Sequence, residues 1–201
     1  MGFIDKSFIE RRRPFKMLVL GEPSSEKYRT VGDLVLFLAK HYDKERITLI
    51  DLFPDVLIIN NTKITGKISE IIDLPSNVDY RSPNGLNFPI MKAKSKEGYI
   101  SIVKENVRKV EKVLREFASS PNKILVINEF SIYFPIANLD LIDTVVDKPE
   151  IAIFSVNYGY LLSEDLGTGL SSRESTVTEY LMRKVDLAYY VPPPFYLFEM
   201  E

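Results

Sequence analysis

Five short apolar runs, separated by segments with helical spacing, constrain this chain more than any other feature. They are KMLVL (16–20), RITLIDLF (46–53), NKILVINEF (122–130), EIAIFSVN (150–157) and DLAYYV (186–191). Each has the length of a strand, and near-continuous apolar character marks a strand covered on both faces. Between them, RTVGDLVLFLAKHY (29–42) is apolar on most sides, as a helix packed deep against a sheet must be. Over 98–118, Tyr99, Ile102, Val103, Asn106, Val107, Val110, Val113, Leu114 and Phe117 follow three-and-four spacing, with Asn106 the one polar member of the stripe. LDLIDTVV (139–146) is a short helix, and SSRESTVTEYLMRKV (171–185) is a helix with a capping-box start, Ser171-x-x-Glu174.

Strands alternating with helices require parallel pairing and right-handed crossovers, so the expected fold is three-layer α/β, a mostly parallel sheet with helices on both faces. Ligands in such folds sit beyond the carboxyl ends of the strands. VLIINN (56–61) either continues the second strand past Pro54-Asp55 or forms a separate edge strand. Residues 62–97, punctuated by Gly, Pro and Asn, are expected to be an irregular insertion with one short strand at NVDYR (77–81). No linker divides the chain, and 201 residues suit one domain spanning 1–201.

Composition removes several function classes. The 26 Lys and Arg against 28 Asp and Glu leave a net charge of −2, which indicates neither nucleic acid nor an acidic membrane as partner. The absence of cysteine excludes disulfides, thiolate chemistry and cysteine-ligated metal, and His41 alone does not make a zinc site. No apolar run reaches the ~18 residues of a membrane span. The N-terminal stretch MGFIDKSFIERRRPF lacks the order of a signal peptide and misses the myristoylation pattern at Lys6. A cytoplasmic location is the expectation, and Asn60-Asn61-Thr62 is then a glycosylation tripeptide by chance.

The chemistry lies at the strand ends. A phosphate-binding loop is a strand ending in a Gly-rich turn whose N–H groups wrap a phosphate, with a lysine, a helix dipole and a hydroxyl for Mg²⁺. Against G-x-x-x-x-G-K-[ST], KMLVLGEPSSEKYRT supplies Gly21, then Glu22-Pro23-Ser24-Ser25, Glu26, Lys27 and Tyr28. Lys16–Tyr42 and the strand order after it resemble the P-loop NTPase superfamily. The resemblance implies ATP or GTP with Mg²⁺ as ligand, held by Gly21, Ser24, Ser25, Lys27 and Thr30.

Two departures weaken that implication. Glu26 stands where close approach of phosphate calls for glycine, and its carboxylate would repel phosphate if turned inward. Tyr28 replaces the short metal-binding hydroxyl, a loss that Ser24, Ser25 or Thr30 could repair. ILVINEF resembles the Walker B strand, but Asn128 occupies the Asp position, with Glu129 following. An amide lacks the charge that a hard cation favours. Asp51 ends the second strand, and with Glu129 it is a candidate catalytic pair or divalent site.

SVNYGYLLSEDLGTGLSSRE (155–174) places Asn157 at a strand end, but Tyr158 and Tyr160 stand where guanine reading needs Lys and Asp. Arg173, after the Gly167-Thr168-Gly169 loop, is a candidate for stabilising a phosphoryl group. Arg11-Arg12-Arg13 reads as a solvated flank. The aromatic tail PPPFYLFEME folds back or meets a partner. Two functional readings stand. One is a non-hydrolysing binding or regulatory protein with a degenerate nucleotide site, acting through a protein partner or a homo-oligomer. The other is an atypical Mg²⁺-dependent hydrolase or kinase using Lys27, Asp51 and Glu129.

Overall fold

The structure is a computed structural model and describes residues 9, 13–55, 57–59, 61–160 and 163–192. Asn60, Arg11, Arg12 and the tail from residue 193, on which expectations were placed, lie outside the described residues. Each expected apolar run forms a strand: β1 Phe15–Gly21, β2 Ile47–Asp51, β6 Ile124–Asn128, β7 Ile151–Asn157 and β8 Leu187–Tyr190. NVDYR supplies β5, Val78–Arg81, at one edge. These strands make one six-stranded sheet, order β5-β2-β6-β7-β1-β8, in which every pairing is parallel. The segment after Pro54-Asp55 does not extend β2. It forms β3, Leu57–Ile59, and pairs antiparallel with β4, Thr62–Ile64, as a separate hairpin.

Helices cover both faces, as three-layer packing demands. Alternate β1 residues divide between two apolar cores: Met17 and Val19 face one, Leu18 and Leu20 the other. The first core receives α1, Ser25–His41, through Tyr28, Val31, Leu34, Val35 and Leu38. After the single turn α2, Pro89–Lys92, come three longer helices. These are α3, Lys96–Ser119, α4, Leu139–Asp147, and α5, Leu170–Met182, and they pack into the second core.

The α3 stripe is buried at Val103, Val107, Val110 and Leu114, with Tyr99 and Phe117 at its ends, while Ile102 and Val113 are half-buried. Its polar member has a structural reason. The Asn106 amide donates to the Asn87 carbonyl at 2.7 Å and accepts the Asn87 N–H at 3.1 Å, pinning the segment before α2 onto the helix. The α5 start differs from the expected capping box. Gly169, at φ 78°, is the N-cap, and Asp165 accepts the Ser171 N–H and hydroxyl, each at 3.1 Å. That leaves Glu174 without a capping role. Among the described residues no helix is long and apolar enough to cross a membrane.

Candidate functional site

β1 and β7 are neighbours, yet the helix after β1 packs on one face of the sheet and the helix after β7 on the other. This reversal opens a crevice at their carboxyl ends, the default ligand position in a doubly wound sheet. Gly21 and Asn157 are partners in register there, and Asp51 and Asn128 are partners two strands away. The strand ends therefore place the expected residues along one edge.

The turn from β1 to α1 is closed. Gly21, Glu22, Pro23 and Ser24 are all buried, Ser25 is half-buried and Glu26 is exposed. Gly21, at φ 152°, is required by close approach: a Cβ there would lie 2.5 Å from the Val191 carbonyl oxygen. Pro23 has no N–H to offer an anion. Ser24 spends its side chain as the N-cap, its Oγ accepting the Lys27 N–H at 3.2 Å. On the other side the Glu22 carboxylate accepts the Tyr160 N–H and lies against Gly159, where a Cβ would collide with it. Glu26 does not turn inward; it sits in the first turn of α1, where a carboxylate favours the helix dipole.

Lys27 points into the protein and is fully buried. Its ammonium donates to Asn157 Oδ1 at 2.6 Å, the Gly21 carbonyl at 3.2 Å and the Val156 carbonyl at 3.4 Å, and pairs with Glu129 Oε2 at 3.4 Å. Three N–H donors thus meet four acceptors. Burial lowers the Lys27 pKa from its ordinary value, with Glu129 offsetting part of that effect. Tyr28, also fully buried, donates its hydroxyl to Glu129 Oε2 at 2.6 Å and packs edge-on against Phe53. Burial, reinforced by Glu129, raises the Tyr28 pKa well above normal, so the phenol keeps its proton. Ser131 Oγ donates to the other Glu129 oxygen at 3.0 Å. Glu129 holds this position in the left-handed region at φ 59°, ψ 45°, a conformation of order 1–3 kcal/mol for a non-glycine residue.

A second chain of bonds runs along the sheet edge. Ser155 Oγ accepts the Glu129 N–H at 2.9 Å and donates to Asn128 Oδ1 at 2.8 Å. The Asn128 amide donates to Asp51 Oδ1 at 2.9 Å and to the Gly66 carbonyl at 2.8 Å. Asp51 further accepts the Ile68 N–H at 2.7 Å, the Phe53 N–H at 3.2 Å and the Tyr80 hydroxyl at 3.2 Å. Burial raises the Asp51 pKa, and the bonds from Asn128 and Ile68 pull part of the way back. These contacts explain why an amide stands at 128. Aspartate there would set two carboxylates against each other and leave the Gly66 carbonyl without its donor.

Asp51 and Glu129 are consequently linked through Asn128 and Ser155 rather than brought to one open site. Their oxygens already hold protein donors, and among the described residues no group of three or more acidic, His or Cys side chains could hold a metal. This arrangement does not fit Mg²⁺. Two further candidates stand apart. Thr30 Oγ1 donates back to the Glu26 carbonyl at 2.9 Å, and Arg173 is exposed and donates to the Ala137 carbonyl at 3.3 Å. His41 lies in the last turn of α1 and contacts the Phe37 carbonyl and ring. The residues not singled out in advance are Ser131 and Ser155. Ser155 had a signal, being the polar residue inside the apolar run IAIFSV.

Beside Asn157 lies a cavity of about 280 Å³ between the segment after β7 and α5. Glu22, Asn157, Tyr158, Tyr160, Glu174 and Glu179 contribute to its wall. Burial, with Glu129 behind it and Lys27 giving partial relief, pushes the Glu174 pKa up to about 8. No protein-family model matches this chain, and no curated protein matches it.

Proposed function

We propose that the chain is a P-loop NTPase-like protein with a degenerate nucleotide site, acting as a non-hydrolysing binding or regulatory protein. The reading is carried by one observation: Gly21, Glu22, Pro23, Ser24 and Lys27 are all buried, and the Lys27 ammonium is held by Asn157, Glu129 and two carbonyls. Phosphoryl transfer works by positioning and by charge stabilisation on the phosphate oxygens. Here the lysine that would supply the charge serves the protein's own carboxylate. Tyr28 fills the metal-side position and bonds to the acid that would orient water. Asn128 is used in full by Asp51, Gly66 and Ser155.

Calorimetric titration with Mg²⁺-ATP and Mg²⁺-GTP, paired with a phosphate-release assay, tests this on the natural protein and on Glu26→Gly/Tyr28→Ser. The natural protein is expected to show no turnover and at most weak binding. The double variant is expected to bind more tightly, because smaller residues let the turn relax open. Melting curves run alongside separate loss of fold from loss of binding. Fast Mg²⁺-dependent turnover by the natural protein would establish the hydrolase or kinase reading instead.

A further inference from the structure

The cavity beside Asn157 has a polarity opposite to that of a nucleotide site. Its wall holds Glu22 from the turn after β1 and Glu174 and Glu179 from α5, and among the described residues contains no Lys or Arg. Lys27, behind Asn157, directs its donors elsewhere. The Glu174 carboxylate, partly exposed into this space, has no hydrogen-bond partner among the described residues. At the mouth, Tyr158 is 49% and Tyr160 90% exposed. Exposed aromatic faces beside carboxylates suit a cation, which gains from both. Size narrows the ligand further. About 280 Å³ falls just below the ~300 Å³ at which pockets for drug-sized ligands begin, which is room for one small group.

We propose that this cavity binds an organic cation, a guanidinium or alkylammonium group, against Glu174, with Glu22 and Glu179 as its walls and Tyr158 and Tyr160 at its mouth. The proposal goes beyond the reading of the 21–27 turn and stands if that reading falls. Binding releases a proton. The groups facing Glu174 are Lys27 from α1, Glu129 from the end of β6, Tyr99 from α3, Glu22 from the β1 turn, Tyr158 and Tyr160 from the segment after β7, and Glu179 on α5. In this setting Glu174 keeps its proton up to about pH 8, and an entering cation favours the ionised form. Affinity should therefore rise about tenfold between pH 7 and pH 9, with proton uptake by the buffer.

Calorimetric titration of agmatine into the full chain, at both pH values and in buffers of different ionisation heat, reads both effects. Glu174→Gln mimics the protonated side chain and should fold normally, yet it should lose the pH 9 binding and the proton release. Glu22→Gln keeps an oxygen for the Tyr160 N–H and should weaken binding by a smaller factor. A Gly-Arg-Gly peptide distinguishes the sources: binding as tight as agmatine assigns the cation to a protein side chain, and exclusion assigns it to a free amine. No binding at pH 9, equal binding by Glu174→Gln, or a response to Mg²⁺ alone as strong as that to agmatine would overturn the proposal. No nucleotide is present in this titration, so its failure leaves the reading of the turn untouched.

Discussion

On one side of Asn157, Lys27 and Glu129 hold each other in a fully buried pair, with Tyr28 and Ser131 on the remaining carboxylate positions. On the other side, Glu174 faces a cavity whose wall holds no Lys or Arg among the described residues. Both clusters sit at the carboxyl edge of one sheet, the first fully buried and the second partly open at Glu174. They differ in how the withdrawn charge is met. The first is satisfied from within and has no need of a ligand. At the second, burial raises the Glu174 pKa, and among the described residues no Lys or Arg lines the cavity it faces.

The largest effect should follow from unpairing the first cluster. Lys27→Met keeps the side-chain volume but strands the Glu129 carboxylate, at a cost of about 3–5 kcal/mol in chemical denaturation. Adding Glu129→Gln should recover part of that loss, since the stranded charge is gone. If Lys27→Met costs nothing, the pair is not what closes the turn. Tyr28→Phe removes one hydrogen bond to a charged group and should cost about 1.5–3 kcal/mol. Ser155→Ala leaves the Glu129 N–H and the Asn128 oxygen unsatisfied, and about 1–3 kcal/mol is expected.

The second cluster should show itself in pH dependence. Glu174 has a folded pKa of about 8 against an ordinary value of 4.5, so the folded state binds more protons in that window. Its contribution to stability is full below 4.5 and is lost as pH rises through about 8. Urea midpoints of the natural protein should fall across this range, and Glu174→Gln should flatten the fall. An unchanged slope in the variant would place the titration elsewhere. The smallest effects belong to Arg173→Ala and Thr30→Ala, each within about ±0.5 kcal/mol, because neither side chain reaches the edge cluster.

Much of this architecture was legible because burial on both faces writes a strand as an unbroken apolar run. Five runs named five strands, but only four are buried along nearly their whole length; β8, at the sheet edge, is half exposed, and NVDYR named the sixth. The strand-end residues Gly21, Asp51, Asn128 and Asn157 could be placed on one edge for the same reason. Their partners could not. Tyr28 looks in sequence like a lost hydroxyl, and only the fold brings its phenol to Glu129, 101 residues away along the chain. Asn128 looks like a lost charge until Asp51 is found beside it. The Ser171-x-x-Glu174 pattern misled because Asp165 reaches the helix start from outside the motif. Glu22 and Glu174 meet at one cavity from opposite ends of the chain, a contact with no local signature.

The central claim is that the turn at 21–27 is closed upon its own lysine, and the melting temperature of the natural protein in saturating Mg²⁺-nucleotide tests it most directly. A ligand at a hundredfold excess over its Kd adds about 2.7 kcal/mol. For a chain of this size that corresponds to roughly 5–10 °C. Millimolar Mg²⁺-ATP or Mg²⁺-GTP is predicted to leave the melting temperature within about 1 °C of its value without ligand, as expected when the turn offers no open site. A rise of several degrees, abolished when Mg²⁺ is chelated, would contradict the account and show that Lys27 leaves Glu129 for a phosphate.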